Sequence, residues 1–126
     1  FFMILKNIKK HKKIINKFNH FVNSNFNENS ILFCAGFVGR TVMDKFHSMG
    51  FTPKIILDNN SSYKKQKLKG VVIQDLKYLR KKFKIFKNSN ILICNLNFKD
   101  VSKIKQQLIN ARINRNNIFN LKNMFI

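Results

Sequence analysis

With 126 residues, 44% of them hydrophobic, the chain has material for one domain with a core and is too apolar to be disordered throughout. No apolar stretch approaches the ~20 residues of a membrane-spanning helix, and two cysteines make neither a disulfide framework nor a metal site. A formal net charge of +20 would usually suggest nucleic acid, and on charge alone a weak, salt-sensitive attraction to polyanions is expected.

Residues 1 to about 22 read as an amphipathic helix. Phe1, Ile4, Leu5, Ile8, Ile15, Phe18 and Val22 recur at helical spacing, and Lys6, Lys9, Lys10, Lys13 and Lys17 share the other side. Such a helix docks on its own domain, on a partner, or on an anionic membrane. The early lysines interrupt the apolar residues too soon for a signal-peptide core, so a cytoplasmic location is expected. A first residue Phe1 in place of Met suggests a piece of a longer chain. Asn23 to Asn29 reads as a polar linker, dividing the chain into an N-terminal helix and linker, 1–29, and a main domain, 30–126.

Beyond the linker the pattern alternates. Strand 31–35 runs into a glycine turn at Gly36 to Gly39, and a helix over 40–49 turns Val42, Met43, Phe46 and Met49 to one face. Gly50 sits where a helix C-cap glycine belongs, with Pro53 after it. Strand 54–58 ends in Asp58, and a polar loop, 59–69, leads through Lys69-Gly70 into strand 71–73. Asp75 opens a helix to about Phe83 with Leu76, Leu79 and Phe83 inward. Strand 91–94 follows the break at Asn88-Ser89-Asn90. Asp100 opens a last helix with Val101, Ile104, Leu108 and Ile109 on its buried stripe, before strand 118–121. Single helices between strands imply an α/β, three-layer parallel sheet in the order 3-2-1-4-5, with an extra N-terminal amphipathic helix.

Strand, glycine turn, helix, strand and terminal acid is the order of a nucleotide-binding βαβ unit. Gly36 and Gly39 occupy the second and third positions of G-x-G-x-x-G, and Cys34 stands in place of the first, which suggests an altered turn. The backbone of Gly36, Phe37, Val38 and Gly39 offers N–H groups to a phosphate, with Arg40 within reach of it from the next turn. Asp58 stands where an acid accepts from ribose hydroxyls; its other reading is a loop-capping aspartate. Asn59, Asn60, Asn95 and Asn97 are candidates for a sugar or amide, or simply loop formers. Asp75 and Asp100 read as helix caps. Cys34 and Cys94 end neighbouring strands and read first as small buried hydrophobes, second as a redox pair. His11, His20 and His47 have no acidic or cysteine partner at useful spacing, so neither a catalytic dyad nor zinc is expected.

The 21 lysines against four arginines accompany 19 Asn, 16 Ile and 14 Phe, a set sharing A/T-rich codons. Arginine supplies bidentate base contacts, and its scarcity argues against sequence-specific nucleic-acid recognition.

The segments Ile31-Leu-Phe-Cys-Ala-Gly-Phe-Val-Gly-Arg40, Ile55-Ile-Leu-Asp-Asn-Asn60, Lys67-Leu-Lys-Gly-Val-Val-Ile73 and Asp75-Leu-Lys-Tyr-Leu79 resemble the small Rossmann-like domain of bacterial glycan-modifying proteins. That domain accompanies sugar O-acetyltransferases, FkbM-type methyltransferases and sugar C-methyltransferases of polysaccharide biosynthesis. The resemblance covers about residues 30 to 122. It implies a nucleotide-sugar role for Gly36, Gly39, Asp58 and Asn59, and chemistry performed by a partner or fused catalytic domain. Cys34, and Ser61-Ser62 where a proline often stands, depart from its pattern. The expected function is thus a nucleotide or nucleotide-sugar binding module of a surface-glycan transferase, not catalytic alone. The alternatives are an NAD-binding domain and a basic scaffold that has lost its ligand.

Overall fold

A computed structural model describes the backbone of residues 2–125 and the side chains of residues 9–123. Of the expected helix face, Phe1 lies outside the described residues and the side chains of Ile4, Leu5, Lys6 and Ile8 outside the described side chains.

Three tripeptides make the centre of the sheet: β1 (Ile31–Phe33), β2 (Ile55–Leu57) and β5 (Ile91–Ile93), every residue of them buried. Unbroken apolar runs of this kind belong to parallel strands covered on both faces. Residues 31, 32 and 33 pair in register with 55, 56 and 57 on one side and with 91, 92 and 93 on the other. Because side chains alternate, Ile31, Phe33, Ile55, Leu57, Ile91 and Ile93 enter one apolar layer, and Leu32, Ile56 and Leu92 enter the opposite one.

Among the described residues the sheet has six strands in the order β3-β4-β2-β1-β5-β6, with β4 (Val71–Gln74) beyond β2 and β6 (Ile118–Asn120) beyond β5. The five parallel strands reproduce the 3-2-1-4-5 order expected from sequence. The addition is β3 (Lys67–Leu68), an antiparallel edge strand joined to β4 through Lys69 and Gly70. Both turn residues have positive φ, 51° and 81°, the backbone of a two-residue hairpin turn that a glycine favours. The polar 59–69 segment thus carries a hairpin arm, preceded by a 3₁₀ turn at Ser61–Tyr63.

Helix α1 (Phe2–Asn25) and α2 (Phe37–Ser48) cover one face; α3 (Leu76–Lys81), α4 (Phe83–Phe86) and α5 (Phe98–Asn110) cover the other. The chain leaves β1 for one face and β5 for the opposite face, so the two central strands diverge at their C-terminal ends. In open α/β sheets that divergence opens a crevice.

Several boundaries differ from expectation: strand 31–35 ends at Phe33, and the helix expected from Asp75 to about Phe83 breaks at Lys82 into α3 and α4. The N-terminal helix continues through Asn23, Ser24 and Asn25, and Phe26 is buried with Phe21 and Val22 against Phe46 and Phe119. The polar composition of 23–29 hid a single phenylalanine that ties this stretch to the core. Helix α2 starts at Phe37, three residues early, so the expected glycine turn is largely its first helical turn. Its far end matches: Gly50 has φ +79°, and the Phe51 amide reaches back to the Phe46 carbonyl at 2.8 Å. Among the described residues no helix is long and apolar enough to cross a membrane.

Candidate functional site

The divergence of β1 and β5 holds a cleft of about 640 Å³. It is lined from β1 and α2 by Cys34, Gly36, Phe37 and Val38, from the end of β2 by Asp58, Asn59, Asn60 and Tyr63, and from β5 and α5 by Cys94, Asn95, Asp100, Lys103, Ile104 and Gln107. The helix-start backbone and the acid at the tip of β2 therefore face one space.

Helix α2 opens on that space uncapped. Gly36 is its N-cap residue and offers no side chain, whereas Asp75 caps α3 by accepting from the Tyr78 amide, and Asn97 caps α5 by accepting from Lys99 and Asp100. The first N–H groups of a helix have no partner within it, and here their electropositive end points into the cleft. The two glycines differ in what they permit. A Cβ on Gly39 would overlap the Cys34 carbonyl, so only glycine lets α2 approach the end of β1 this closely. A Cβ on Gly36 would meet nothing within 4 Å. The fold itself does not require glycine at 36; it leaves room at the cleft surface.

Cys34, in the place of the first glycine, takes φ +88°, a left-handed backbone that glycine favours. For an L residue that conformation costs about 1–2 kcal/mol. We therefore expect Cys34→Gly to raise the stability to urea unfolding by about 1 kcal/mol. An unchanged midpoint would mean that thiol packing in the cleft offsets the strain. Burial, with a smaller contribution from the Asp58 carboxylate, pushes the Cys34 thiol up to about 12 against a hydrogen bond with Asn95. Cys94, fully buried beside it, is raised as well, first by burial and then by Cys34. Both are free thiols, protonated at neutral pH and so weak nucleophiles.

Asp58 combines its two expected readings. One carboxylate oxygen accepts from the Ala35 amide at 2.6 Å and the other from the Asn60 amide at 2.7 Å. It thereby clamps the turn after β1 to the tip of β2 and shapes its own loop. A carboxylate offers more acceptor positions than these two bonds use, and Asp58 lines the cleft.

The remaining candidates separate. Asn59 donates to the Gln107 Oε1 at 2.8 Å, joining the β2 loop to α5. Asn95 accepts from the Asn97 amide, and Asn97 is the α5 cap rather than a cleft residue. Arg40 turns back: its Nε donates to the Ala35 carbonyl at 3.2 Å, and its guanidinium lies 5.9 Å from the Tyr63 ring centre, so it braces the turn and does not line the cleft. Tyr63, Asp100, Lys103 and Gln107 escaped the sequence reading. The last three recur at helical spacing on α5, a signal that becomes usable once the cleft side of that helix is known. Asp100 is not the cap it was expected to be; Asn97 takes that place, and Asp100 falls in the first turn facing the cleft. Among the described residues no group of three or more His, Cys, Asp or Glu could hold a metal.

No family model matches the sequence, and no curated protein matches it. Solved structures do. The UDP-D-quinovosamine 4-dehydrogenase of Vibrio fischeri aligns with a TM-score of 0.59 and 18% identity, over 79% of this chain and 84% of its own. RSP, a Rex-family repressor, aligns in its complex with β-NADH at TM-score 0.56 and 21% identity, over 86% and 52%. Its complex with β-NAD⁺ and operator DNA gives 0.55 and 17%, over 86% and 56%. The fold is Rossmann-like. The chain spans about half the length of the repressor, and at these identities the likeness is one of fold.

One expectation is overturned here. Scarce arginine argued against specific nucleic-acid binding, yet a repressor with this fold is crystallised on operator DNA. The composition of one Rossmann-like unit says nothing of the half of the repressor it does not span.

Proposed function

We propose that the cleft binds a nucleotide of the NAD type, and that residues 30–126 carry the binding unit. The observation that supports this most is that the uncapped start of α2 and Asp58 line one cleft. The Phe37 and Val38 amides receive the diphosphate, the open carboxylate positions of Asp58 receive ribose hydroxyls, and Lys103 supplies a cation on the opposite wall. Phe37, 87% exposed, offers a ring face at the cleft mouth. Asn59 and Asn95 are within the same lining for amide contacts. Neighbours crystallised with β-NAD⁺ and β-NADH favour this reading over the glycan-transferase module. Nucleotide-sugar is the second reading, favoured by the UDP-sugar dehydrogenase.

Titration calorimetry with NAD⁺, NADH and UDP-N-acetylglucosamine tests it. Saturable heat is expected with NAD⁺ or NADH. Gly36→Val, whose side chain projects into the cleft, should weaken binding at least tenfold, about 1.4 kcal/mol, while leaving the urea midpoint within about 1 kcal/mol of wild type. Saturation by the UDP-sugar alone would transfer the site to the second reading, and no saturation by any of the three would remove both.

A further inference from the structure

We infer that the solvent face of α1 is a docking surface for the phosphodiester backbone of duplex nucleic acid, independent of the nucleotide cleft. Lys9, Lys12, Lys13, Lys17 and His20 line a groove of about 690 Å³ along α1, with Asn123 of the C-terminal segment also on its lining. No cleft residue belongs to it. The four lysines span about 12 Å of helix at 1.5 Å per residue, one cation per roughly 3–4 Å. That density approaches the ~3.4 Å axial spacing of phosphates along one strand of a duplex.

No Asp or Glu lies in the helix; the first in the chain is Glu28. The cleft, by contrast, gathers two of the five acids and a single lysine. The excess charge is thus segregated on surfaces away from the cleft, and α1 carries one line of it. An anionic membrane is the weaker fit. Interfacial helices bury an apolar face in lipid, but α1 turns Phe21 and Val22 into its own core and leaves Ile14, 41% exposed, as its one exposed large hydrophobic among the described residues. Lysine ammonium groups at this spacing contact phosphates, the contacts that position a duplex.

The test is fluorescence anisotropy of the full chain on a labelled 20-base-pair duplex of arbitrary sequence, between 50 and 200 mM KCl. Neutralising three phosphate contacts removes about 2.7 from the slope of log K against log salt. Lys9→Gln with Lys12→Gln and Lys13→Gln should therefore flatten the slope by that amount and weaken binding more than tenfold at the lower salt. Lys81→Gln with Lys84→Gln and Lys87→Gln removes the same charge from exposed sites elsewhere and should move the slope by less than about 0.5. Equal losses in the two triple variants would overturn the proposal, because net charge alone would then explain binding. So would binding to phosphatidylserine vesicles without binding to the duplex, or no duplex binding at 50 mM. Circular dichroism of each variant confirms that α1 is retained.

Discussion

Gly39→Ala should destabilise the protein by about 3 kcal/mol or more, the top of the range for overpacking a close contact. The added methyl has no direction in which to yield. Its nearest neighbours are the carbonyl oxygen and carbon of Cys34, main-chain atoms at the end of a fully buried strand, with the Cβ of Cys94 at 3.8 Å behind them. Flexible side chains move aside cheaply, whereas backbone at a strand end takes the sheet with it. Relief would require α2 to withdraw from β1, pulling Val42, Met43 and Phe46 out of the layer they share with Leu32 and Ile56. Urea unfolding followed by circular dichroism measures the loss. Gly36→Ala is the matched control: its methyl enters open space at φ −76°, a backbone any residue adopts, and its midpoint should stay within about 1 kcal/mol of wild type. Similar losses in both would mean that the turn tolerates no side chain anywhere, and the division of labour between the glycines would be wrong.

The sheet was legible because its signals are local. Ile31 to Phe33, Ile55 to Leu57 and Ile91 to Ile93 are short apolar runs bounded by polar loops, and burial on both faces leaves them no other assignment. Asp75, Gly50 and the helical spacing of Val42, Met43 and Phe46 fixed the helices between them. The β3–β4 hairpin was not read, since β3 is only Lys67 and Leu68 and carries no alternation to detect. At α5 two capping signals competed. Both Asn97 and Asp100 are good N-terminal residues, and the asparagine won because its side chain accepts from both Lys99 and Asp100. The cleft was half legible. Gly36 and Asp58 declare themselves by position, whereas Gly39 packs against Cys34 and is not on the lining; Tyr63, Lys103 and Gln107 reach the cleft only through the packing of a 3₁₀ turn and of α5. Arg40 shows the opposite failure: a cation in the right sequence position was drawn onto the Ala35 carbonyl and the Tyr63 ring. Cys34 shows that the turn is set by its surroundings, the Asp58 clamp and the close α2 contact, strongly enough to hold a cysteine in a glycine conformation.

Asp58→Ala should lower both stability and NADH affinity, by separable amounts. The carboxylate holds the amides of Ala35 and Asn60, and Ala35 is fully buried. Removing the acceptor leaves a buried N–H without a partner, at a cost of about 1–3 kcal/mol. Asp58→Asn should recover part of that, because its single amide oxygen can serve one of the two amides while its NH₂ must face the other donor. The affinity loss has a different origin. Charge-assisted bonds to ribose hydroxyls are worth about 1.5–3 kcal/mol, so the NADH dissociation constant should rise by roughly 10- to 150-fold. The two effects are distinguished by titrating each variant where circular dichroism shows it folded. If Asp58 only clamps the turn, folded Asp58→Asn will bind NADH as tightly as wild type. If it also grips the ribose, affinity will stay low in the folded asparagine variant, because an uncharged amide with its one oxygen engaged has little left to offer a hydroxyl.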